Sequence, residues 1–185
     1  FDRDGNFIRR FGGPELFDRP SGLTVDPQGQ RVYVVDTGGV DSQRHQVTVF
    51  DAVSGEKLHT IAERGSGDGQ LNLPREAVVN EDGNIYVVDG GNFRVQVFSP
   101  DGEFIRSIGS VGRMGGQFSR PKGIGSDPEG NIYVSDTALA HRPDPSRSWR
   151  LDPAALIEPT HGRSTRKGPG TIVKSIELGG PLFVM

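Results

Sequence analysis

One pattern recurs three times in this chain and constrains its fold more than any other feature. Pro20-Ser-Gly-Leu-Thr-Val-Asp26-Pro-Gln-Gly29 leads into Val32-Tyr33-Val34-Val35-Asp36. Pro74-Arg-Glu-Ala-Val-Val-Asn80-Glu-Asp-Gly83 leads into Ile85-Tyr86-Val87-Val88-Asp89. Pro121-Lys-Gly-Ile-Gly-Ser-Asp127-Pro-Glu-Gly130 leads into Ile132-Tyr133-Val134-Ser135-Asp136. The prolines lie 54 and 47 residues apart, and Phe1, Phe50 and Phe98 repeat at spacings of 49 and 48. A period of that size is one supersecondary unit that cannot bury its apolar faces alone and must stack on copies of itself.

Each unit reads as four strands. Strand a is the short run ending at Val25, Val79 or Ser126. Strand b, Val-Tyr-Val-Val or Ile-Tyr-Val-Val, is apolar at successive positions, as a strand covered on both faces must be. Strand c (Val95–Phe98) and strand d (Phe104–Ile108) grow more polar, and Pro100-Asp101-Gly102 between them is a tight-turn signal. The expected fold is all-β: part of a β-propeller of four-stranded antiparallel blades. The 27 glycines and 13 prolines among 185 residues suit recurrent turns. With no cysteine, disulfides, thiolate metal sites and thiol nucleophiles are excluded. No apolar run is long enough to span a bilayer as a helix, and the compartment stays open.

The sequence divides at about residue 139. Residues 1–139 comprise strand d of a preceding blade (Phe7–Phe11), two full blades and the start of a third. Residues 140–185 are an atypical tail with six prolines and seven Lys/Arg against four Asp/Glu. Two readings of that tail stand. Ser148–Pro153 and Gly170–Ile176 are the degenerate outer strands of the third blade, or residues 140–169 are foreign to the repeat.

The pattern Pro-x-Gly-Ile/Leu-x-x-Asp-x-x-Gly-Asn-Ile-Tyr-Val-x-Asp, followed by Asn92-Phe-Arg-Val-Gln-Val-Phe98, resembles the NHL repeat. The resemblance is fullest over 74–109. It is interrupted in the first unit by an insertion at 38–44, and it fades in the third after Thr137. It implies a six-bladed propeller, of which this chain supplies about half. It also implies that Asn92 and Arg94 form a structural hydrogen-bonding element. An open arc leaves apolar blade faces on which copies could associate.

Candidate chemistry is sparse. Asp36, Asp89 and Asp136 recur once per blade, which marks them as structural caps of backbone N–H groups in the b–c turn rather than as acid/base catalysts. His45, His59, His141 and His161 form no pair at ligand spacing, so no metal or other cofactor is expected. A propeller lyase would need a catalytic histidine, for which His45 or His141 is the candidate. The charge layout says more. The a–b and c–d turns carry mainly acids, whereas the d–a and b–c loops carry Arg19, Arg44, His45, Arg75, Arg113, Arg120 and Lys122. These seven are the expected partner-binding residues of a non-catalytic module that docks a protein or peptide. RNA on the same basic face is the alternative, and a lyase whose catalytic half lies elsewhere is the third reading.

Overall fold

A computed structural model describes residues 1–137 and the backbone of 173–176. The first sheet is built from β1 (Pro20–Val25), β2 (Arg31–Asp36), β3 (Gln46–Asp51) and β4 (Lys57–Ile61), hydrogen-bonded in that order and antiparallel throughout. The second repeats it with β5 (Pro74–Val79), β6 (Ile85–Asp89), β7 (Arg94–Phe98) and β8 (Phe104–Ile108). The third pairs β11 (Pro121–Ser126) with β12 (Ile132–Asp136), again antiparallel. The four strands read from the repeat are therefore the four strands of a blade, and among the described residues there is no helix.

Each first strand begins at the repeat's proline, which pairs with the last aspartate of strand b: Pro20 with Asp36, Pro74 with Asp89, Pro121 with Asp136. Proline donates no hydrogen bond, so it is tolerated at a strand's first residue, and the register slips just after it in all three sheets. β1 lies beside β5, and β5 beside β11. The first strands thus form the inner edge of an arc, with exposed β8 at its outer edge.

Apolar side chains from both faces of the b and c strands cement the blades. One cluster joins Tyr33, Val35, Val47 and Val49 of the first sheet to Ala77, Val79, Ile85, Val87 and Phe98 of the second. A second joins Tyr86, Val88, Val95 and Val97 to Ile132 and Val134. Burying one such side chain contributes about 1.5–3 kcal/mol. The face of the first sheet turned away from the second is open at its inner edge, where Leu23 is 64% exposed, whereas its repeat equivalent Ala77 is buried.

Three features depart from the repeat or extend it. The d–a connection after β8 contains a short parallel pair, β9 (Ser110–Val111) with β10 (Gln117–Phe118). β13 (Val173–Ile176) lies against β12 but parallel to it, where a regular strand c would run antiparallel. Phe7–Phe11 joins no sheet, although Phe11 stacks edge-on against Phe50 at 5.9 Å. The segment Ser148–Pro153 lies outside the described residues.

Candidate functional site

Alternation of strand direction puts the d–a and b–c loops on one rim of the arc. What makes that rim rigid is the aspartate ending each strand b. Asp36 accepts the backbone N–H groups of Asp18 and Arg19, both at 2.8 Å, and that of Gly38 at 3.0 Å. Asp136 accepts those of Ser119 at 2.6 Å and Arg120 at 2.9 Å. Asp89 accepts that of Asn72 at 2.7 Å. The carboxylates are caps, as their periodicity implied, but the backbone N–H groups they hold belong chiefly to the d–a connection, with Asp36 also accepting that of Gly38 in the b–c turn. Strand a starts beside the end of strand b, so the N–H groups entering strand a lie nearest the carboxylate.

The middle blade elaborates the cap. Asp89 Oδ2 also accepts from Asn92 Nδ2 at 2.8 Å, Arg94 Nε at 2.9 Å and Gln96 Nε2 at 3.1 Å. The same three side chains reach into the preceding loop. Asn92 donates to the carbonyl of Gly65, Arg94 to those of Gly67 and Gln70, and Gln96 to that of Gln70. The Asn-x-Arg element is structural: it satisfies loop carbonyls that no ladder can reach.

Each loop is pinned by one apolar side chain. Phe17 packs against Phe50 at 5.9 Å, Leu71 is buried between the first two blades, and Phe118 between the second and third. Gly12 and Gly109, both left-handed (φ 62° and 81°), lie flat under the Phe17 and Phe118 rings. A Cβ on either would come within 2.3 Å of a ring carbon. The middle loop solves the same problem in reverse: Ala62, also left-handed (φ 64°), carries a Cβ and its anchor is the smaller Leu71.

The seven expected binding residues separate into two groups on this scaffold. His45 is fully buried; its Nδ1 accepts the Leu73 N–H at 3.2 Å and its Nε2 donates to the Gly39 carbonyl at 3.0 Å. Both ring nitrogens are engaged inside the protein, so His45 joins two loops and presents nothing to a partner. Arg44 is half-buried and paired with Asp18 at 3.1 Å. By contrast Arg19, Arg113, Arg120 and Lys122 are exposed and Arg75 is half-buried. Among the described residues none of these five side chains takes part in an ion pair or hydrogen bond. Sequence reading missed three exposed apolar residues on the same rim, Val40, Val111 and Met114. Their loops were identified, but nothing in a loop's sequence separates an outward valine from an anchoring one.

Four acids on or beside the rim are engaged, whereas exposed Glu15 and Asp41 make no ion pair or hydrogen bond among the described residues. Asp18 accepts from Ser42 and Arg44, Asp68 faces Arg94 at 3.6 Å, Glu63 accepts from Gln70 and Glu76 accepts the Ile124 N–H at 3.2 Å. On the opposite rim, N–H groups of Ser54 and Val53 hold the Asp51 carboxyl below its ordinary pKa. The Asp127 carboxylate, hydrogen-bonded to Tyr133, raises that phenol. No group of three His, Asp or Glu side chains among the described residues is placed to hold a metal. A cavity of about 340 Å³ beside β11 and β12 is lined by Gly123, Ile124, Gly125, Tyr133, Val134, Ser135 and Glu76. It has no convergent nucleophile, base and anion-binding donor.

These blades are those of a β-propeller, and a virginiamycin B lyase from Staphylococcus aureus shares the fold. It superposes with a TM-score of 0.52 over 71% of this chain and 39% of that one, at 14% identity. In the second unit the NHL repeat family model matches residues 71–98. Human NHL repeat-containing protein 3 is 32% identical over 89 residues, 48% of this chain and 24% of that protein. The human E3 ubiquitin-protein ligase NHLRC1 is 32% identical over 88 residues, 48% of this chain and 21% of that protein. The chain thus spans about a quarter of the curated relatives it matches, and its match to the NHL repeat lies in the second of its consecutive propeller blades.

Proposed function

We propose that this chain is a non-catalytic binding module that docks a protein or peptide on the rim formed by the d–a and b–c loops. The observation that carries the reading is the contrast within that rim. Buried carboxylates, an arginine and a histidine lock its backbone, while five cations on it have no hydrogen-bond or ion-pair partner among the described residues. Rigid loops bearing uncommitted charge are what binding surfaces are made of. An E3 ubiquitin-protein ligase among the relatives fits a protein partner.

RNA is the second reading, supported by the same cations. Against it stand an overall pI near 5.8 and the fate of the three candidate stacking rings. Phe118 is buried, Phe17 packs on Phe50 and Phe93 packs on the core. A lyase would draw on His45 or His141. The first is occupied on both nitrogens, and the second lies outside the described residues.

The test is capture of binding proteins by the tagged chain and by two charge-reversed forms. Arg19→Glu with Arg120→Glu alters this rim; Glu81→Lys with Asp101→Lys alters the other. Loss of the captured protein only with the first pair is expected. Equal loss with both, or with neither, would sink the reading.

A further inference from the structure

We infer that this rim recognises an acidic, extended polypeptide segment carrying an apolar side chain, held by one or two cations from each blade. The inference rests on the rim being the docking face, and it names the chemistry of what docks there.

The cations are not scattered. Arg75 and Lys122 occupy the same repeat position, directly after the proline that opens strand a; Ser21 is their counterpart in the first blade. Arg19 and Arg120 share the position directly before that proline. All four therefore stand where the inner edge of the arc meets the rim. Neighbouring blades touch there. Ser21 Oγ donates to the Arg75 carbonyl at 2.8 Å, and buried Thr37 donates to the Pro74 carbonyl at 2.5 Å. The blade equivalents thus form a row along adjoining strands.

Arg75 is also held in place. Gly90, in the b–c turn next to the capping Asp89, has no side chain, and a Cβ there would lie 3.0 Å from Arg75 Cγ, 3.0 Å from the Leu73 carbonyl oxygen and 3.1 Å from Arg75 Nε. The stem of Arg75 fills that notch, which limits the freedom its guanidinium would lose on meeting a ligand.

Guanidinium groups bind carboxylates through a bidentate fork of donors, and among the described residues no acid pairs with any of these four cations. Val40 (76% exposed), Val111 (65%) and Met114 (76%) lie on the same rim. Apolar surface beside unpaired cations matches a peptide that alternates acidic and apolar residues. Single-stranded RNA would want exposed rings to stack on, and the three rings of these loops are packed inward.

The probe is a short labelled peptide alternating Glu and Leu, titrated by fluorescence anisotropy at low salt against the whole chain. A Gln-for-Glu version and a single-stranded oligouridine run alongside. The acidic peptide should saturate and weaken at high salt, and the other two should not bind comparably. Arg75→Glu with Lys122→Glu should weaken it at least about tenfold, Arg75→Gln less, and Lys57→Glu on the other rim not at all. Equal binding of the Gln peptide, preference for oligouridine, or indifference to the Arg75 changes would overturn the inference. Rim-dependent protein capture without acidic-peptide binding would remove this inference and leave the docking reading intact.

Discussion

Arg94 donates from Nε to Oδ2 of Asp89 at 2.9 Å, and the carboxylate is fully buried while the guanidinium is nearly so. Nη2 of the same arginine donates to the carbonyls of Gly67 and Gln70, so one ion pair fastens strands b and c to the preceding loop. Removing one partner of such a pair leaves a buried charge uncompensated. Arg94→Ala should therefore cost about 3–5 kcal/mol, read as a lowered urea midpoint by circular dichroism. Asp89→Asn, which keeps the shape and some acceptors, should cost less than Arg94→Ala. An unchanged midpoint for both would show that the pair is dispensable.

Thr48 offers the reverse case. It holds in β3 the place that Gln96 holds in β7, yet its buried hydroxyl has no hydrogen-bond partner among the described residues. Replacing an unsatisfied buried hydroxyl by a methyl of the same shape removes a desolvation cost. Thr48→Val should raise stability by about 1 kcal/mol. A loss of stability would mean the hydroxyl is satisfied in solution.

His59 makes stability depend on pH. Burial first, and the nearby Arg31 second, lower the imidazole pKa from its ordinary 6.5, with Asp101 opposing. A lowered pKa in the fold means that the unfolded chain binds the proton more readily. This contribution is whole above pH 6.5 and is lost as pH falls below it toward the folded value. His59→Gln, which does not titrate, should flatten that part of the profile. Thermal midpoints of the two forms should diverge between neutral and mildly acidic pH, with wild type losing more. Parallel curves would contradict the assignment.

The loop anchors permit a double-mutant cycle. Phe17 and Phe118 each lie over a glycine, whereas Ala62 packs against the core cluster that contains Leu71. Leu71→Phe alone should cost about 1–3 kcal/mol by overpacking against the Ala62 methyl. Adding Ala62→Gly should restore part of that loss although glycine alone gives nothing comparable. Additive effects would show that the ring and the Cβ do not compete for the same space.

How much of this was legible follows from where each interaction lives in the chain. Pro20 to Asp36, Pro74 to Asp89 and Pro121 to Asp136 could be read because strands a and b are adjacent in sequence and repeat. The direction of the capping bonds could not, since Asp89 meets Asn72 only after strands a and b have folded back on each other. His45 looks like any loop histidine. Its burial depends on Leu73 and Gly39, which two separate loops bring to it. The cationic rim was legible as a charge pattern, but not the split between Arg44, paired with Asp18, and Arg75, which has no such partner.

The anchors also bear on how such repeats are duplicated and shuffled. Leu71 and Asn72 precede β5, yet Leu71 packs into the seam beside the second sheet and Asn72 supplies a donor to its carboxylate. The exchangeable module is therefore a loop together with the sheet that follows it, with seams between Phe11 and Gly12, Ile61 and Ala62, and Ile108 and Gly109. Recombination at those seams hands on each aspartate with its own donors. A crossover at the repeat's proline would mate every blade with another blade's loop and part each aspartate from the N–H groups it caps.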